Sequence, residues 1–135
     1  MDPRRRRLIE DSWSRLEGSP REVAGTFYQR LFQLDPRIKD LFAIVVMEDQ
    51  QEKFSNMLGE LVRLMGNPEG FESLLRESGR RHREYGVVAR DYATVGEALL
   101  WALDRALPGG LDDATREAWA EAYTRMSFLM QQSGE

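Results

Sequence analysis

The chain contains no cysteine, so disulfide bonds, thiolate metal ligands and cysteine nucleophiles are all excluded. It also lacks long apolar runs, since no stretch approaches the roughly 20 residues that a membrane-spanning helix needs. The arginines at positions 4 to 7 are followed by Glu10 and Asp11 rather than by the apolar core of a secretory signal. These absences predict a cytoplasmic protein without a membrane partner.

Neither sign of charge dominates, because the net charge is only −4 over 135 residues. A chain of this balance is a poor general binder of nucleic acid, so no nucleic-acid partner is expected. Runs of alternating β-branched residues are missing as well, and the nearest candidate, Ile44-Val45-Val46, is too short to found a sheet. The length suits one domain with a substantial core, so we expect residues 1–135 to form a single domain.

Apolar residues recur at spacings of three and four along almost the whole chain, which predicts helices. Proline, glycine and capping residues divide this pattern into six substantial helices and one short one, an all-α fold class. Ser19 is placed to cap the second helix, after a break at Gly18. The predicted boundaries are about Pro3 to Leu16, Pro20 to Asp35, Pro36 to Phe42, Glu48 or Asp49 to Gly66, Pro68 to Gly86, Asp91 to Ala106, and Asp112 or Asp113 to Met130.

The only histidine of the chain, His82, lies near the end of the fifth predicted helix. Ser78 lies one turn before it, and Leu75 and Leu74 lie about two turns before it, so the imidazole is expected to point inward with these leucines. Two roles fit an inward imidazole: a hydrogen-bonded core residue, which is the commoner case, or a metal ligand. In either role one ring nitrogen needs an acceptor, and the carbonyls or hydroxyl near Leu75 and Ser78 are the candidates.

Five segments hold their characteristic residues in a definite order and spacing. They are Phe27-Tyr28-X-X-Leu31-Phe32-X-X-Asp35-Pro36-X-X-X-X-Leu41-Phe42, Gln50-X-X-Lys53, Gly79-Arg80-Arg81-His82-X-X-Tyr85-Gly86-Val87, Tyr92-X-X-Val95-Gly96-X-Ala98-Leu99-Leu100 and Ala118-Trp119-X-X-Ala122-Tyr123. In these segments the chain resembles the bacterial single-domain globins related to the haem domain of flavohaemoglobins, from about Leu8 to Met130. The resemblance implies a globin fold with haem b (iron protoporphyrin IX) between the fourth helix and the His82 helix.

The resemblance also implies roles for individual residues around such a haem. His82 resembles the proximal iron ligand, Phe42 resembles the phenylalanine that packs on the porphyrin, and Lys53 is placed to meet a haem propionate. The other residues that the resemblance places against the haem are Phe54 and Met57 on the fourth helix and Val87, Tyr92 and Val95 on the proximal side. Phe54 is bulkier than the leucine or valine usual at its position in this family, and it is expected to narrow the space above the iron.

Tyr28 and Gln50 resemble the distal pair that donates hydrogen bonds to a ligand of the haem. Each such bond to dioxygen, which acquires partial negative charge there, would contribute on the order of 1–1.5 kcal/mol, or roughly tenfold in affinity. The residues alone leave alternatives open: Tyr28 as a core tyrosine with its hydroxyl at the surface, and Gln50 as an exposed glutamine. Because the link before the fourth helix is irregular, Gln51 is also a candidate for the inward position.

The function implied by the resemblance is tight, reversible binding of O2, and of NO or other small ligands, at ferrous iron. One alternative is a nitric oxide dioxygenase that uses a separate reductase, and another is a gas or redox sensor or interaction module that acts in trans. A single histidine excludes a haem with two histidine ligands, so five-coordinate ferrous iron is expected unless Tyr28, Gln50 or a methionine reaches it. Flavohaemoglobins also place a glutamate late in the last helix, whereas the nearest acid here, Glu135, is one position out of register.

Overall fold

The computed structural model describes residues 2–16 and 19–132, and every regular element among these residues is helical. The prediction of six substantial helices and one short one is confirmed. The helices are α1 (Pro3–Ser14), α2 (Pro20–Leu34), α3 (Pro36–Asp40), α4 (Met47–Arg63), α5 (Pro68–Glu84), α6 (Ala89–Ala106) and α7 (Asp113–Gln132), with a 3-10 turn (Leu64–Gly66) between α4 and α5.

Side chains just before the helices determine where several of them begin. The Ser19 hydroxyl accepts a hydrogen bond from the backbone N–H of Glu22, so the predicted cap of α2 is confirmed. Carboxylate or amide oxygens of Asp35, Asn67 and Asp112 accept equivalent bonds at the starts of α3, α5 and α7. The predicted break at Gly18 lies outside the described residues.

Three predicted boundaries differ from the structure by one or two residues. Helix α1 ends at Ser14 rather than Leu16, and α3 ends at Asp40 rather than near Phe42. Helix α4 begins at Met47, before Glu48, although no side chain caps it. The acids predicted to start α4 lie inside its first turn instead, where negative charge is favourable at the positive end of the helix dipole.

The start of α6 also differs from the prediction of Asp91. The helix begins at Ala89, and Asp91 reaches back from the first turn, where its carboxylate accepts a hydrogen bond of 3.0 Å from the Val88 N–H. Asp91 therefore stabilises the helix start from within, as the third residue of a capping box does. The sequence correctly indicated that Asp91 belongs to the start of α6. The prediction placed Asp91 at the first position of the helix, whereas it lies two residues inside.

The core lies where α2 crosses α6 and where α7 packs against α1 and α5. Phe27, Leu31, Leu99 and Leu103 are each at most 2% exposed, as is Trp119, whose indole donates a 2.8 Å hydrogen bond to the Ser12 hydroxyl. Burying side chains of this size contributes about 1.5–3 kcal/mol each relative to leaving them in water. Among the helices of residues 2–16 and 19–132, none has both the length and the apolar character that crossing a bilayer requires.

Helices α4 and α5 are neighbours along the chain, but they pack against different partners. Helix α4 lies on α2 and α1, whereas α5 lies on α7, and within the described residues α4 and α5 meet mainly through the 3-10 turn. The two helices therefore lie apart along most of their length, and we call the space between them the cleft. At its mouth the link after α3 meets the turn after α5, since a Cβ at Gly86 would lie 3.8 Å from a methyl carbon of Leu41.

Candidate functional site

His82 lies in the last turn of α5 on the cleft wall, and its side chain is partly buried. Its Nδ1 atom is 2.6 Å from the carbonyl oxygen of Ser78 and 3.4 Å from the Ser78 hydroxyl. Because a carbonyl only accepts hydrogen bonds, Nδ1 is the donor, and in the neutral imidazole Nε2 then keeps its lone pair. No described residue forms a hydrogen bond with Nε2. The predicted acceptor near Ser78 is confirmed, and Nε2 remains available as a ligand for a metal.

The backbone at the end of α5 fixes the position of His82. Gly86 has a φ angle of +91°, a left-handed conformation that suits glycine and that ends the helix where the sequence predicted. The Val87 N–H donates to the His82 carbonyl at 3.0 Å, and the Gly86 N–H donates to the Arg83 carbonyl at 3.1 Å. These two bonds form a Schellman motif. The residue that presents the imidazole is therefore itself part of the helix-ending motif.

Tyr28 and Gln50 meet on the opposite wall of the cleft. The Gln50 side-chain N–H donates a 3.0 Å hydrogen bond to the hydroxyl oxygen of Tyr28. Tyr28 as a whole residue is only 4% exposed. Burial raises the pKa of the Tyr28 phenol to about 12, and the bond from Gln50 opposes this increase only in part. The phenol is therefore protonated at neutral pH. Its oxygen accepts from Gln50, so its own O–H is free to donate to a further group.

The contact with Tyr28 also settles which glutamine lies beside it. Gln50 bonds to the phenol, whereas the Gln51 amide lies next to Gly25, 3.7 Å from where a Cβ at that glycine would be. Both glutamines therefore face α2, but at different heights along it. The alternative of a Tyr28 hydroxyl at the protein surface does not describe this structure.

Four phenylalanine rings surround the Tyr28 ring. The Tyr28 ring centroid lies 4.9 Å from that of Phe27, 5.4 Å from that of Phe42, 5.5 Å from that of Phe54 and 6.0 Å from that of Phe32. The first three contacts are edge-to-face, the geometry that aromatic quadrupoles prefer. The sequence predicted positions for Phe42 and Phe54 in the site but not this mutual packing. The phenol is thus held in one orientation by its ring as well as by its hydroxyl.

On the His82 side lies Tyr92, which is 7% exposed and whose ring centroid is 6.4 Å from that of His82. Burial raises the pKa of the Tyr92 phenol, and the charge of Arg83 opposes this. The Tyr123 hydroxyl donates a 2.6 Å hydrogen bond to the Tyr92 carbonyl. Its ring fits against Gly96, where a Cβ would lie only 2.7 Å from Tyr123 Cε2.

No site role was predicted for Tyr123 or Gly96, although both belong to the five segments. The sequence did offer a signal for Gly96, because a glycine inside a helix often permits close approach by a neighbouring side chain. The ring that approaches it comes from another helix and could not be inferred from spacing.

The remaining predicted site residues form fewer specific contacts than His82, Tyr28 and Gln50. Met57 and Val95 are partly buried and pack against the core, and Val87 is partly buried in the turn after α5. Lys53 is exposed on α4, and within the described residues it forms no ion pair. Late in α7, the Met130 carbonyl accepts a hydrogen bond from the Arg83 guanidinium at 3.2 Å. Glu135, the acid nearest to the expected glutamate, lies outside the described residues.

Residues 25–130 match the family model described as Globin, and the chain belongs to the globin family. Among curated relatives, a protein named flavohemoprotein from Rhizobium meliloti (strain 1021) is 29% identical over 106 residues, which are 77% of this chain and 26% of that protein. The chain thus spans about a quarter of that relative's length. Neuroglobin from Danio rerio is 28% identical over 130 residues, covering 87% of this chain and 82% of the relative.

A further relative, from Gossypium hirsutum, is named as an anaerobic nitrite reductase, and it is 27% identical over 133 residues, 88% of this chain and 82% of that one. Two solved structures show the same fold at 15% sequence identity each. A Drosophila melanogaster globin has a TM-score of 0.84 with 96% of this chain and 93% of that chain covered. A hexacoordinated heme protein from an anhydrobiotic tardigrade has a TM-score of 0.86, with 96% and 92% covered. The predicted globin fold is confirmed.

The residues of the cleft fit the haem that the family implies. The described residues contain no group of three or more histidine, cysteine, aspartate or glutamate side chains that could hold a metal ion, so an iron here needs a group that brings its other ligands. His82 Nε2 supplies one nitrogen, which is the donor that suits iron. The opposite wall offers aromatic surface and two hydrogen-bond donors, and the α4 and α5 walls stand apart along most of their length.

Proposed function

We propose that the chain binds haem b in the cleft between α4 and α5, with His82 Nε2 as the axial ligand, and that it binds O2 reversibly and tightly. The observation that carries the proposal is the short hydrogen bond from His82 Nδ1 to the Ser78 carbonyl. In the neutral imidazole this bond leaves Nε2 with its lone pair, and no described residue forms a hydrogen bond with Nε2. The haem, when bound, supplies a ferrous iron with a coordination position open to diatomic gases.

Apolar side chains of both walls would hold the macrocycle. Phe42 would pack on it at the mouth of the cleft. Met57 and Phe54 would contact it from α4, where both side chains are partly buried. Val87, Tyr92 and Val95 would contact the His82 side. Lys53, exposed on α4 and without an ion pair within the described residues, would pair with a propionate.

Tyr28 and Gln50 would stabilise dioxygen by donating hydrogen bonds to it. Since Gln50 donates to the Tyr28 oxygen, it orients the phenol so that its O–H is free for the ligand. The second N–H of Gln50 is a further donor. In a pocket without water, each bond contributes on the order of 1–1.5 kcal/mol, so two donors predict slow release of dioxygen.

We expect a five-coordinate ferrous state unless Tyr28, Gln50 or a methionine reaches the iron. His82 is the only histidine of the chain, so a second imidazole cannot occupy the distal position. One of the structural neighbours is described as hexacoordinated. In the proposed arrangement Gln50 and Tyr28 would lie beside that position instead, and their bond to each other would favour an open site.

A second candidate is a nitric oxide dioxygenase, which combines nitric oxide, dioxygen and one electron into nitrate. The same donor pair that retains dioxygen would serve this reaction, and the similarity to a flavohemoprotein over 77% of the chain is the observation in its favour. The electron would have to come from a separate reductase.

The experiment is the visible absorption spectrum of the haem-loaded chain in the ferric, ferrous and oxygen-exposed states, beside His82→Ala. The proposal predicts a five-coordinate ferrous spectrum and a long-lived oxygenated spectrum, both lost in the variant. Failure of the unmodified chain to take up haem, or an unchanged spectrum in His82→Ala, would contradict it. Adding nitric oxide with a reductase then separates the two functions, because only the dioxygenase turns over nitric oxide repeatedly.

A further inference from the structure

Two arginines from different helices share one tryptophan ring where α2 crosses α6. The guanidinium carbon of Arg30, on α2, lies 5.0 Å from the centroid of the Trp101 ring, on α6. The guanidinium carbon of Arg105, one turn further along α6, lies 3.9 Å from the centroid of the same ring. Both distances are within the range of cation–π contacts. We call these three residues the Trp101 cluster.

No acid neutralises the two charges of the Trp101 cluster within residues 2–16 and 19–132, where neither Arg30 nor Arg105 forms an ion pair. The carboxylate next to Arg105, that of Asp104, already has other partners. It accepts hydrogen bonds from the Leu111 N–H at 2.8 Å and from the Arg116 guanidinium at 3.2 Å. The cluster therefore holds two like charges near one ring, an arrangement that an anion bound between them would stabilise.

The Trp101 ring, rather than a hydrogen bond, holds the Arg30 guanidinium. The Arg30 Nε atom is buried and has no hydrogen-bond partner in the described part of the chain. Arg30 as a whole residue is only partly buried, and its terminal nitrogens are not buried. These terminal N–H groups, and those of the exposed Arg105, are left to solvent or to a ligand. Because a guanidinium presents its donors in a planar fork, two forks near one ring can share one oxyanion.

We propose that the Trp101 cluster is a binding site for a phosphoryl group, carried either by a soluble phosphate compound or by a lipid headgroup. A phosphate ester carries a charge of about −1.5 to −2 at neutral pH, so it can balance both guanidinium groups. A carboxylate brings only a single negative charge and would leave one guanidinium unbalanced. The phosphate oxygens are also strong acceptors for the N–H groups of both forks.

The Trp101 cluster is separate from the cleft that holds His82 and Tyr28. Arg30 follows Tyr28 by two positions on α2, which is about 200° around a helix, so the two side chains leave α2 in nearly opposite directions. Binding of a phosphoryl group at the cluster therefore does not depend on haem. Its failure would leave the proposed function unaffected.

The first test is isothermal titration calorimetry of the full chain with inorganic phosphate and with pyrophosphate, at constant ionic strength. Binding of each should saturate at one site per chain. Arg30→Gln and Arg105→Gln should each weaken it at least about tenfold, since a hydrogen bond between charged groups is worth about this factor. Arg105→Lys keeps the charge but loses the planar fork, so it should weaken binding by a smaller factor. Because Arg105 is exposed, its variants keep the test decisive even if Arg30→Gln fails to fold.

Arg21→Gln is the matched control for the effect of net charge. Arg21 is exposed on the same helix as Arg30, and in the described part of the chain it has no ion pair and no ring contact. Its substitution should change the affinity less than about twofold, because salt screens the attraction of distant surface charges. An equal loss of affinity in Arg21→Gln and Arg105→Gln would mean that only net charge attracts the anion, and it would overturn the proposal.

NMR of the indole N–H groups locates the bound anion. The chain has three tryptophans, and the Trp119 indole is bonded to the Ser12 hydroxyl in the core. Added phosphate should shift the Trp101 signal along a saturating curve and leave the Trp13 and Trp119 signals in place. A shift confined to Trp13 or Trp119 would contradict the proposed site.

Sedimentation with vesicles separates the two sources of the phosphoryl group. The vesicles are phosphatidylcholine with and without phosphatidic acid. Sedimentation that requires phosphatidic acid and is reduced by Arg105→Gln assigns the site to a lipid headgroup, whereas saturable binding of soluble phosphate without sedimentation assigns it to a soluble compound. If the chain binds neither soluble phosphate, pyrophosphate nor the vesicles, the proposal is wrong.

Discussion

The two walls of the cleft are built by different kinds of contact. On the α5 wall, backbone groups orient His82, through the Ser78 carbonyl and the Schellman motif that ends at Val87. On the α4 wall, side chains of two helices position each other, through the bond from Gln50 to Tyr28 and the packing of the surrounding rings. Side-chain substitutions should therefore readily change the position of Tyr28 and Gln50 on the α4 wall. Most side-chain substitutions should leave the direction of the His82 imidazole unchanged.

The largest expected effect comes from His82→Ala, which removes the only imidazole of the chain. Haem retention should be lost or severely weakened, because nothing else on the α5 wall replaces the nitrogen ligand. The measurement is the rate of haem transfer to an excess of an acceptor protein. Ser78→Ala is the matched control, since it keeps the carbonyl that accepts from Nδ1, and its transfer rate should be close to that of the unmodified chain. An equal loss in both variants would contradict the claim that the backbone orients His82.

The next effect is on the α4 wall, where Tyr28→Phe deletes the proposed donor while keeping the ring. The dissociation rate constant of dioxygen should rise about tenfold, because one hydrogen bond is worth about 1–1.5 kcal/mol. Carbon monoxide, which acquires less negative charge, should dissociate at a nearly unchanged rate. Stopped-flow displacement measures both constants, and a parallel rise for the two gases would argue against a hydrogen-bond effect.

A neighbouring pair of glutamines sharpens this test. Gln50→Leu should raise the dioxygen dissociation rate, since it removes the bond that orients the phenol. Gln51→Leu should have little effect on that rate, because the Gln51 amide lies beside Gly25 instead. The reverse order would mean that the register of α4 differs from the one described.

A smaller effect is expected behind the α5 wall, from Gly96→Ala. The added Cβ would lie 2.7 Å from Tyr123 Cε2, so the ring has to move and the free energy of unfolding should fall by about 1–3 kcal/mol. Gly59→Ala is the control, because a Cβ there meets only Trp13, at an ordinary 3.7 Å, in the interior of α4. That variant should be neutral or stabilised by about 0.4–1 kcal/mol. Urea unfolding of both variants measures the difference, and equal destabilisation would contradict the close packing at Gly96.

The smallest effect concerns alkaline pH. The folded-state pKa of Tyr28 is raised by burial from 10.0 to about 12, so ionisation of this phenol favours the unfolded chain. Its contribution to stability is fully present below about pH 10 and is lost as the pH rises towards about 12. Burial raises the pKa of Tyr123 as well, so Tyr28→Phe should reduce only part of the loss. Unfolding midpoints at pH 8 and pH 11 give the comparison, and an identical decrease in both proteins would mean that Tyr28 is not buried as described.

The α5 wall could be predicted from the sequence in more detail than the α4 wall, for a physical reason. A helix repeats every 3.6 residues, so the inward direction of His82, its acceptor one turn back at Ser78 and the stop at Gly86 all follow from local spacing. The structure confirms the acceptor and the stop, and it places His82, partly buried, beside the ring of Tyr92. These features depend on residues within about one turn of each other.

The α4 wall depends on contacts between segments that are distant in the chain. Helix α4 begins without a side-chain cap, so the sequence did not show where its register starts, and Gln50 and Gln51 could not be distinguished. The stacking of Phe54 on Phe27 and the bond from Tyr123 to Tyr92 likewise join different helices. Spacing predicts which face a residue occupies, but not which side chain it meets there.

The most direct test of the central claim, that His82 Nε2 is the axial ligand in an orientation fixed by the backbone, is a rescue experiment. Resonance Raman spectra of the ferrous haem-loaded chain should show an iron–histidine stretching band, which Ser78→Ala should retain. The band should be absent in His82→Gly and should return when free imidazole fills the space. A band that persists in His82→Gly without imidazole, or an unmodified chain that shows none, would contradict the account.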